Sequence, residues 1–214
     1  MTRLPASQRR EQLLDCAADL FSKMGYARAT TAQLAKAAGV TEPIIYRHFE
    51  SKRDLFAALI DRTGRETITL WEQHLADAKD PAERLRRLIG DNPMVREKGK
   101  SAYRVILQAI TEVDDPVIHA ALRAHIKSLH AFLTEELVGA QEEHKVASRF
   151  SAEIIAWLLI DVGLGYGVLS AMGVSGHGVD AQGTHVQHVI GRMLVGRGEG
   201  RSSESKGGDG SRAD

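Results

Sequence analysis

Apolar residues recur at intervals of three and four along most of this chain, which is the spacing of helices that bury one face. The first such stripe, near residues 8–24, comprises Leu13, Ala17, Leu20, Phe21 and Met24. Segments that alternate apolar and polar residues, as half-buried strands do, are lacking in the sequence, and so are hairpin signals. The sequence therefore predicts an all-α fold.

Local start and stop signals divide the chain into about nine helices. The starts carry capping residues, in two cases followed by proline at the first helical position, and two early helices end at glycine. These signals are Ser51 with Asp54, Asp80 with Pro81, Asp115 with Pro116, Gly25 and Gly39. The predicted helices lie near residues 8–24, 52–76, 81–91, 100–113, 116–144, 151–173 and 181–196, with two short helices within residues 30–49.

At 214 residues and 43% hydrophobic content, the chain can bury a sizeable core in one large domain or two small ones. Its single cysteine, Cys16, excludes an internal disulfide framework. The N-terminal "MTRLPASQRREQ" lacks the apolar segment of a signal peptide, and no apolar run approaches the roughly 20 residues that span a bilayer. We therefore expect a cytoplasmic protein without a membrane partner. Residues 197–214 hold no apolar side chain larger than alanine and are predicted to be a disordered tail.

The formal net charge is zero, but the charge is unevenly distributed. Residues 1–60 hold nine Lys or Arg and six Asp or Glu, whereas the remainder holds nineteen and twenty-two. This basic excess is modest, and random variation on solvated faces explains it as well as a functional surface does. An anionic partner would favour this sign of charge.

Residues 30–49, "TTAQLAKAAGVTEPIIYRHF", are predicted to form two short helices joined by a tight turn. Ala35 is small enough to let the second helix cross closely, and Gly39 can adopt the positive φ that the turn needs. Thr41 is placed to cap the second helix, with Pro43 in its first turn. This spacing is typical of a helix-turn-helix.

The outer side of the second helix suits a nucleic-acid partner. Ile45 and Phe49 are four apart and are expected to face inward. A tyrosine hydroxyl and an imidazole can donate to phosphate oxygens, a guanidinium can pair with a phosphate or with guanine, and an ammonium adds charge nearby. These groups belong to Tyr46, His48, Arg47 and Lys52. Such a helix can lie in the major groove of DNA.

The same segments strongly resemble the tetracycline-repressor (TetR) family of transcriptional regulators. The resemblance rests on "LFSKMGY" at the end of the first helix, "TTAQLAKAAGV", "YRHF" and "ESKRDLF", and it covers about residues 8–60. It implies a three-helix DNA-binding domain over residues 7–50, followed by a helical effector-binding and dimerisation domain over residues 51–196. It also implies double-stranded DNA as a partner, bound by a homodimer at a pseudo-palindromic operator.

Position by position, the resemblance implies two sets of DNA contacts. The phosphate contacts are Thr30, Thr31, Tyr46, His48 and Lys52. The residues that face bases or the adjacent backbone are Thr41, Glu42, Pro43, Ile44 and Arg47. Glu42 and Pro43 replace a common lysine and glycine, and the acidic Glu42 would either repel a phosphate or accept a hydrogen bond from a cytosine amine.

The C-terminal half is expected to hold an effector pocket and a dimer interface. The resemblance implies a pocket for a small, largely apolar effector, and apolar groups with a few polar ones line such pockets. The candidate pocket residues are Trp71, Tyr103, Leu107, Leu122 and Trp157, although aromatic residues here are more often core. Close packing of small residues on the eighth helix predicts a homodimer interface at Ala156, Ile160, Gly163 and Gly167.

The combined prediction is a ligand-responsive repressor, not an enzyme, that uses neither a cofactor nor a metal. An activator of the same fold is equally compatible with the residues. A small helical enzyme or a helical interaction module is the remaining alternative. His119, His125 and His130 are six and five residues apart and do not share a helical face. His185 and His188 can share one but lack a nearby carboxylate or thiolate partner.

Overall fold

The computed structural model describes residues 4–90 and 97–194, and the regular elements within these ranges are all helices. In chain order they are α1 (Ala6–Met24), α2 (Thr31–Ala38), α3 (Glu42–Tyr46), α4 (Lys52–Leu75), α5 (Pro81–Gly90), α6 (Glu97–Ile110), α7 (Pro116–Glu142), α8 (Ala152–Ala171) and α9 (Val186–Leu194). The predicted all-α fold and the order of the helices are confirmed. The predicted disordered tail, 197–214, lies outside the described residues.

Side chains cap several of these helices where the sequence predicts a start. Thr30 accepts a hydrogen bond from the backbone N–H of Gln33, whose side chain bonds back to the Thr30 N–H. Ser51 accepts from the N–H of Asp54 at the start of α4, and Asp115 caps α7 in the same way. Each cap satisfies N–H groups that a helix start leaves without an intrahelical partner.

The buried apolar residues form two clusters, and α4 contributes to both. Leu55, Phe56 and Leu59 in the first half of α4 pack with α1, α2, α3, α6 and the start of α7. Trp71 and Leu75 in its second half pack with α5, α8, α9 and the later part of α7. The predicted division near residue 50 therefore falls between helices that share one core.

Helices α4 and α7 approach each other closely at Gly64. A Cβ atom at this position would lie 2.8 Å from the Nδ1 atom of His125, which is closer than real Cβ contacts allow. Gly64 thus permits the two longest described helices to pack with a buried histidine between them. His125 is only 8% exposed.

Several helix boundaries differ from the sequence prediction. Helix α6 spans Glu97–Ile110 and not residues 100–113. Helix α3 ends at Tyr46 and not near residue 49, because the chain turns at residues 47 and 48 before the buried Phe49. Helix α9 begins at Val186 and not near residue 181. Asp180 accepts hydrogen bonds from the backbone N–H groups of Gln182 (2.9 Å) and Thr184 (2.7 Å), so its carboxylate holds the preceding segment as a turn.

Candidate nucleic-acid interface and internal cavity

The turn between α2 and α3 has the geometry predicted for a helix-turn-helix. Gly39 ends α2 in the left-handed conformation, with φ +64° and ψ +36°, and the N–H of Val40 donates to the carbonyl of Ala35 over 2.9 Å. A residue with a side chain would be strained at this φ. Ala35 and Ile45 are almost fully buried, at 5% and 1% exposure, and thus fix how α3 crosses α2.

Helix α3 presents the predicted outer residues to solvent. Ile45 and Phe49 are buried, whereas Tyr46 is 50% exposed. Arg47 is also exposed, and His48 is half-buried with its ring against Phe49. The remaining outward positions, Thr41, Pro43 and the half-buried Ile44, flank this patch. Helical periodicity accounts for the opposite exposure of Ile45 and Tyr46, while Phe49 reaches the core after the turn at residues 47 and 48.

Three predicted DNA-contact residues are joined to one another by hydrogen bonds. Thr31 Oγ1 at the start of α2 donates to Glu42 Oε2 over 2.6 Å. The same Thr31 oxygen lies 3.3 Å from the hydroxyl of Tyr46. The structure therefore brings Thr31, Glu42 and Tyr46 together as a polar bridge between α2 and α3.

Lys52 lies apart from that bridge and binds backbone carbonyls. Its Nζ atom donates to the carbonyls of Tyr26 (2.9 Å) and Ala29 (3.0 Å) and lies 4.3 Å from the centre of the Tyr26 ring. The lysine predicted to bind phosphate thus ties the start of α4 to the loop between α1 and α2. The ring of Tyr26 in turn stacks on that of Phe56, with centroids 4.3 Å apart.

Comparison with known proteins identifies the N-terminal region. Residues 13–59 match the family model of bacterial regulatory proteins, tetR family. The HTH-type transcriptional activator FasR of Mycolicibacterium smegmatis is 32% identical over 125 residues, which is 58% of this chain and 55% of that protein. Residues 13–59 are thus similar to the N-terminal region of the tetR family, as the sequence predicted.

A second relative matches over a shorter region. The nucleoid occlusion factor SlmA of Vibrio campbellii is 40% identical over 84 residues, which is 39% of this chain and 43% of that protein. The chain thus spans about half the length of the curated relatives that it matches.

Solved structures extend the likeness to the whole fold of the tetR family. A TetR-family regulator from Agrobacterium tumefaciens matches 90% of this chain and 100% of its own, with a TM-score of 0.70 and 20% identity. A transcriptional regulator from Saccharomonospora viridis, solved in complex with choline, matches 89% of this chain and 100% of its own, with a TM-score of 0.73 and 21% identity. At these identities the likeness establishes the fold alone.

The C-terminal half encloses a cavity of about 120 Å³. Its lining is mainly apolar, with a few polar side chains from α4, α7 and the region around α9. The lining includes Thr67, Trp71, Ile106, His125, Ile126, Leu129, Ile160 and His185. This cavity is somewhat smaller than one of about 150 Å³ that holds benzene in another protein, so the comparison limits any ligand to a small molecule.

Only part of the predicted pocket lines this cavity. Trp71 does so, but Leu107, Leu122 and Trp157 do not. Trp157 is 41% exposed and packs its ring against that of His130, with centroids 4.3 Å apart, because it points away from the core. Leu122 packs against the first apolar cluster. The Tyr103 side chain lies outside the described residues.

His125 is one of several cavity residues that the sequence did not single out for this role. Burial lowers the pKa of its imidazole, which favours the neutral ring. Its buried Nδ1 atom has no hydrogen-bond partner among the described residues. The spacing of the histidines along α7 served only to argue against a metal site. The position of the His125 ring depends on Gly64 of the facing helix α4.

The predicted dimer row on α8 faces inward, contrary to the prediction. Ala156 and Ile160 are 0% and 3% exposed and belong to the second apolar cluster. Gly167 is also buried, and Gly163 is half-buried at the cavity. These small residues let α8 approach its own bundle closely, so they are not available to a partner.

The opposite sides of α8 and α9 expose a set of large apolar side chains, called here the α8–α9 face. It comprises Ile154, Trp157, Leu158, Val168, Leu169 and Met172 of the α8 region and Val186, Val189 and Met193 of α9. Ala152–Ser170 is also long and apolar enough to cross a membrane by length and composition, with 28% of that segment buried. Core and interface helices of water-soluble proteins meet the same criteria.

We expect Lys52→Met to lower the free energy of unfolding by about 1 to 2 kcal/mol, because three carbonyls lose a charged donor. Lys23→Met is the matched control, since Lys23 forms only an exposed ion pair with Asp19, and its effect should stay within about 0.5 kcal/mol. Urea denaturation of both variants measures the difference. Equal stability of the two would show that Lys52 does not anchor the loop in solution.

Proposed function

We propose that this protein is a DNA-binding transcriptional regulator that binds a pseudo-palindromic operator as a homodimer. The observation that carries the proposal is the exposed face of α3. Tyr46 and Arg47 lie on the solvent side of a short helix, whose buried Ile45 holds it against α2. This arrangement suits entry of α3 into a major groove, with the polar groups near its end against phosphates.

Homodimerisation would use the α8–α9 face. Both helices expose several large apolar side chains, more than scattered apolar residues would give. A two-fold pair built on this surface would carry two DNA-binding heads, and half-sites about 34 Å apart would place both in successive major grooves.

Effector binding would occupy the internal cavity. Its apolar lining favours a small, largely apolar molecule, and His125 and Thr67 offer polar contacts within it. The complex of the Saccharomonospora viridis regulator with choline supports a small-molecule ligand for this fold, though not this ligand for this chain.

Helix α6 would couple the cavity to the DNA-binding head. Ile106 lines the cavity, and Gln108, two residues on, contacts the end of α1. Gln108 Nε2 donates to the carbonyl of Phe21 over 2.9 Å, and its Oε1 accepts from the N–H of Tyr26 over 3.1 Å. An effector that shifts α6 would therefore also shift the DNA-binding head and weaken its binding to DNA. By thermodynamic linkage, DNA binding would in turn weaken effector binding.

Release of DNA on effector binding corresponds to a repressor acting in the cytoplasm. An activator is the second candidate, because the FasR relative carries that name. Transcription from the bound promoter in a strain lacking the protein decides between them. An increase supports repression, and a decrease supports activation.

For DNA binding, we expect Tyr46→Phe to weaken all sequences alike, because a phosphate contact carries no base information. Arg47→Ala should either change the preference at one base pair by roughly 1 to 3 kcal/mol or flatten the salt dependence by about one unit, according to whether it binds guanine or phosphate. Titration of an operator selected from genomic fragments, and of its single-base variants, at two salt concentrations measures both. Unchanged binding by both variants would show that α3 does not enter DNA.

For the dimer, we expect Leu158→Asp to shift the protein to monomers at micromolar concentration, because it places a charge in the α8–α9 face. Val113→Asp is the control, since Val113 is similarly exposed (41%, against 39% for Leu158) but lies outside that face. Analytical ultracentrifugation measures the mass, and circular dichroism checks the helix content. A monomeric wild-type protein would contradict the proposed interface.

For the effector site, we expect toluene to raise the melting temperature and to weaken operator binding. At ten times its dissociation constant it should stabilise the native state by about 1.4 kcal/mol. Leu129→Trp fills the cavity and should abolish both effects, whereas Ile110→Trp, at an exposed position on α6, should keep them. Equal responses of the two variants would place the binding site elsewhere.

A further inference from the structure

The carboxylate of Glu42 binds a hydroxyl that the proposed function assigns to a DNA phosphate. Thr31 Oγ1 donates to Glu42 Oε2 over 2.6 Å, a length typical of a charge-assisted O–H···O⁻ bond. A threonine hydroxyl has one proton to donate. While this bond is made, Thr31 cannot donate to a phosphate.

The hydroxyl of Tyr46 is directed into the same arrangement. The Tyr46 and Thr31 oxygens are 3.3 Å apart, and either hydroxyl has the geometry to be the donor. Because the Thr31 proton is given to Glu42, the proton between the two hydroxyls comes from Tyr46. Two neutral donors thus form a chain that ends on one carboxylate, and each bond in such a chain strengthens the next.

We propose that Glu42 is an internal competitor of the DNA phosphate and that it sets specificity by penalising binding to every sequence. The proposal rests on the proposed DNA-binding function. A phosphate that takes the Thr31 and Tyr46 donors must break the 2.6 Å bond and bring a second negative charge beside the carboxylate. Both costs are independent of base sequence.

An operator can recover part of this penalty where other DNA cannot. Once displaced from Thr31, the Glu42 carboxylate accepts hydrogen bonds only, and the cytosine N4 amine is a donor at the floor of the major groove. DNA that presents a donor there satisfies the carboxylate, and other DNA leaves it unpaired beside phosphates. Glu42 therefore separates operator from random DNA mainly by weakening the latter, which is specificity by repulsion.

The test uses Glu42→Gln, which keeps the shape and an acceptor oxygen but removes the charge. Full-length wild-type and variant proteins are titrated with the selected operator and with a random-sequence duplex, at two salt concentrations. We expect the variant to bind the random duplex roughly tenfold more tightly, the equivalent of one hydrogen bond to a charged group. The operator should gain less, so the ratio of the two affinities falls.

Glu50→Gln is the matched control for charge alone. Glu50 is an exposed carboxylate in the same head, only eight positions along the chain from Glu42. The proposal requires Glu50→Gln to leave the affinity ratio within about twofold of wild type. An equal gain from both variants would show that only net charge matters, and would overturn the role of Glu42.

Thr31→Val tests whether Glu42 acts through the Thr31 hydroxyl. In this background, which keeps the side-chain shape, the gain from Glu42→Gln should shrink, because the Thr31 hydroxyl that Glu42 held is no longer present to be released. If Glu42→Gln raises the affinity for random DNA as much in the Thr31→Val background as in wild type, the proposal is wrong. It is also wrong if Glu42→Gln binds random DNA more weakly than wild type, because Glu42 would then serve only to hold α2 against α3.

If wild-type protein binds neither duplex, the proposed function itself is rejected. If it binds the operator and these variants behave otherwise than expected, only the role of Glu42 is rejected.

Discussion

Burial of α4 in both apolar clusters is the constraint on which the rest of the structure depends. This helix has 24 residues and is about 36 Å long, so one rigid element joins the helix-turn-helix region to the C-terminal half. Phe56 anchors it in the first cluster and Trp71 in the second. Gly64 between them allows α7 to approach and places His125 at the cavity. In the proposed mechanism, a movement of the cavity wall would therefore reach the N-terminal helices through packed helices and not through a flexible linker.

The head holds its own polar groups in internal hydrogen bonds before any DNA is present. Thr30 completes a capping box, Thr31 donates to Glu42, and Lys52 binds loop carbonyls. These bonds fix α2 and α3 relative to each other, which lowers the ordering cost of binding. The same bonds occupy donors that a phosphate would use. Affinity for DNA in such a head depends on which internal bonds are exchanged, as well as on how many basic residues face outward.

The sequence alone determined the elements and the recognition face. Capping residues, glycines and a period near 3.6 depend on neighbours within about four positions, so they predict helices without knowledge of the fold. The burial of Ile45 and the exposure of Tyr46 follow from the same local period, whereas Phe49 is buried after a turn that the period did not predict. The boundary of α9 was missed because Asp180 satisfies the backbone of the preceding turn, and an Asx turn competes with a helix cap for the same donors.

Tertiary structure decided which side of α8 is available and what lines the cavity. Helix α8 is apolar nearly all round, so its sequence does not distinguish the buried row at Ala156 from the exposed row at Leu158. Packing of α8 against α7 determines which of the two rows is buried. The contacts of Lys52 with Tyr26, and of Gln108 with Phe21, join residues 26 and 87 positions apart. Local sequence patterns do not predict such contacts, because the two residues of each pair meet only once the helices have packed.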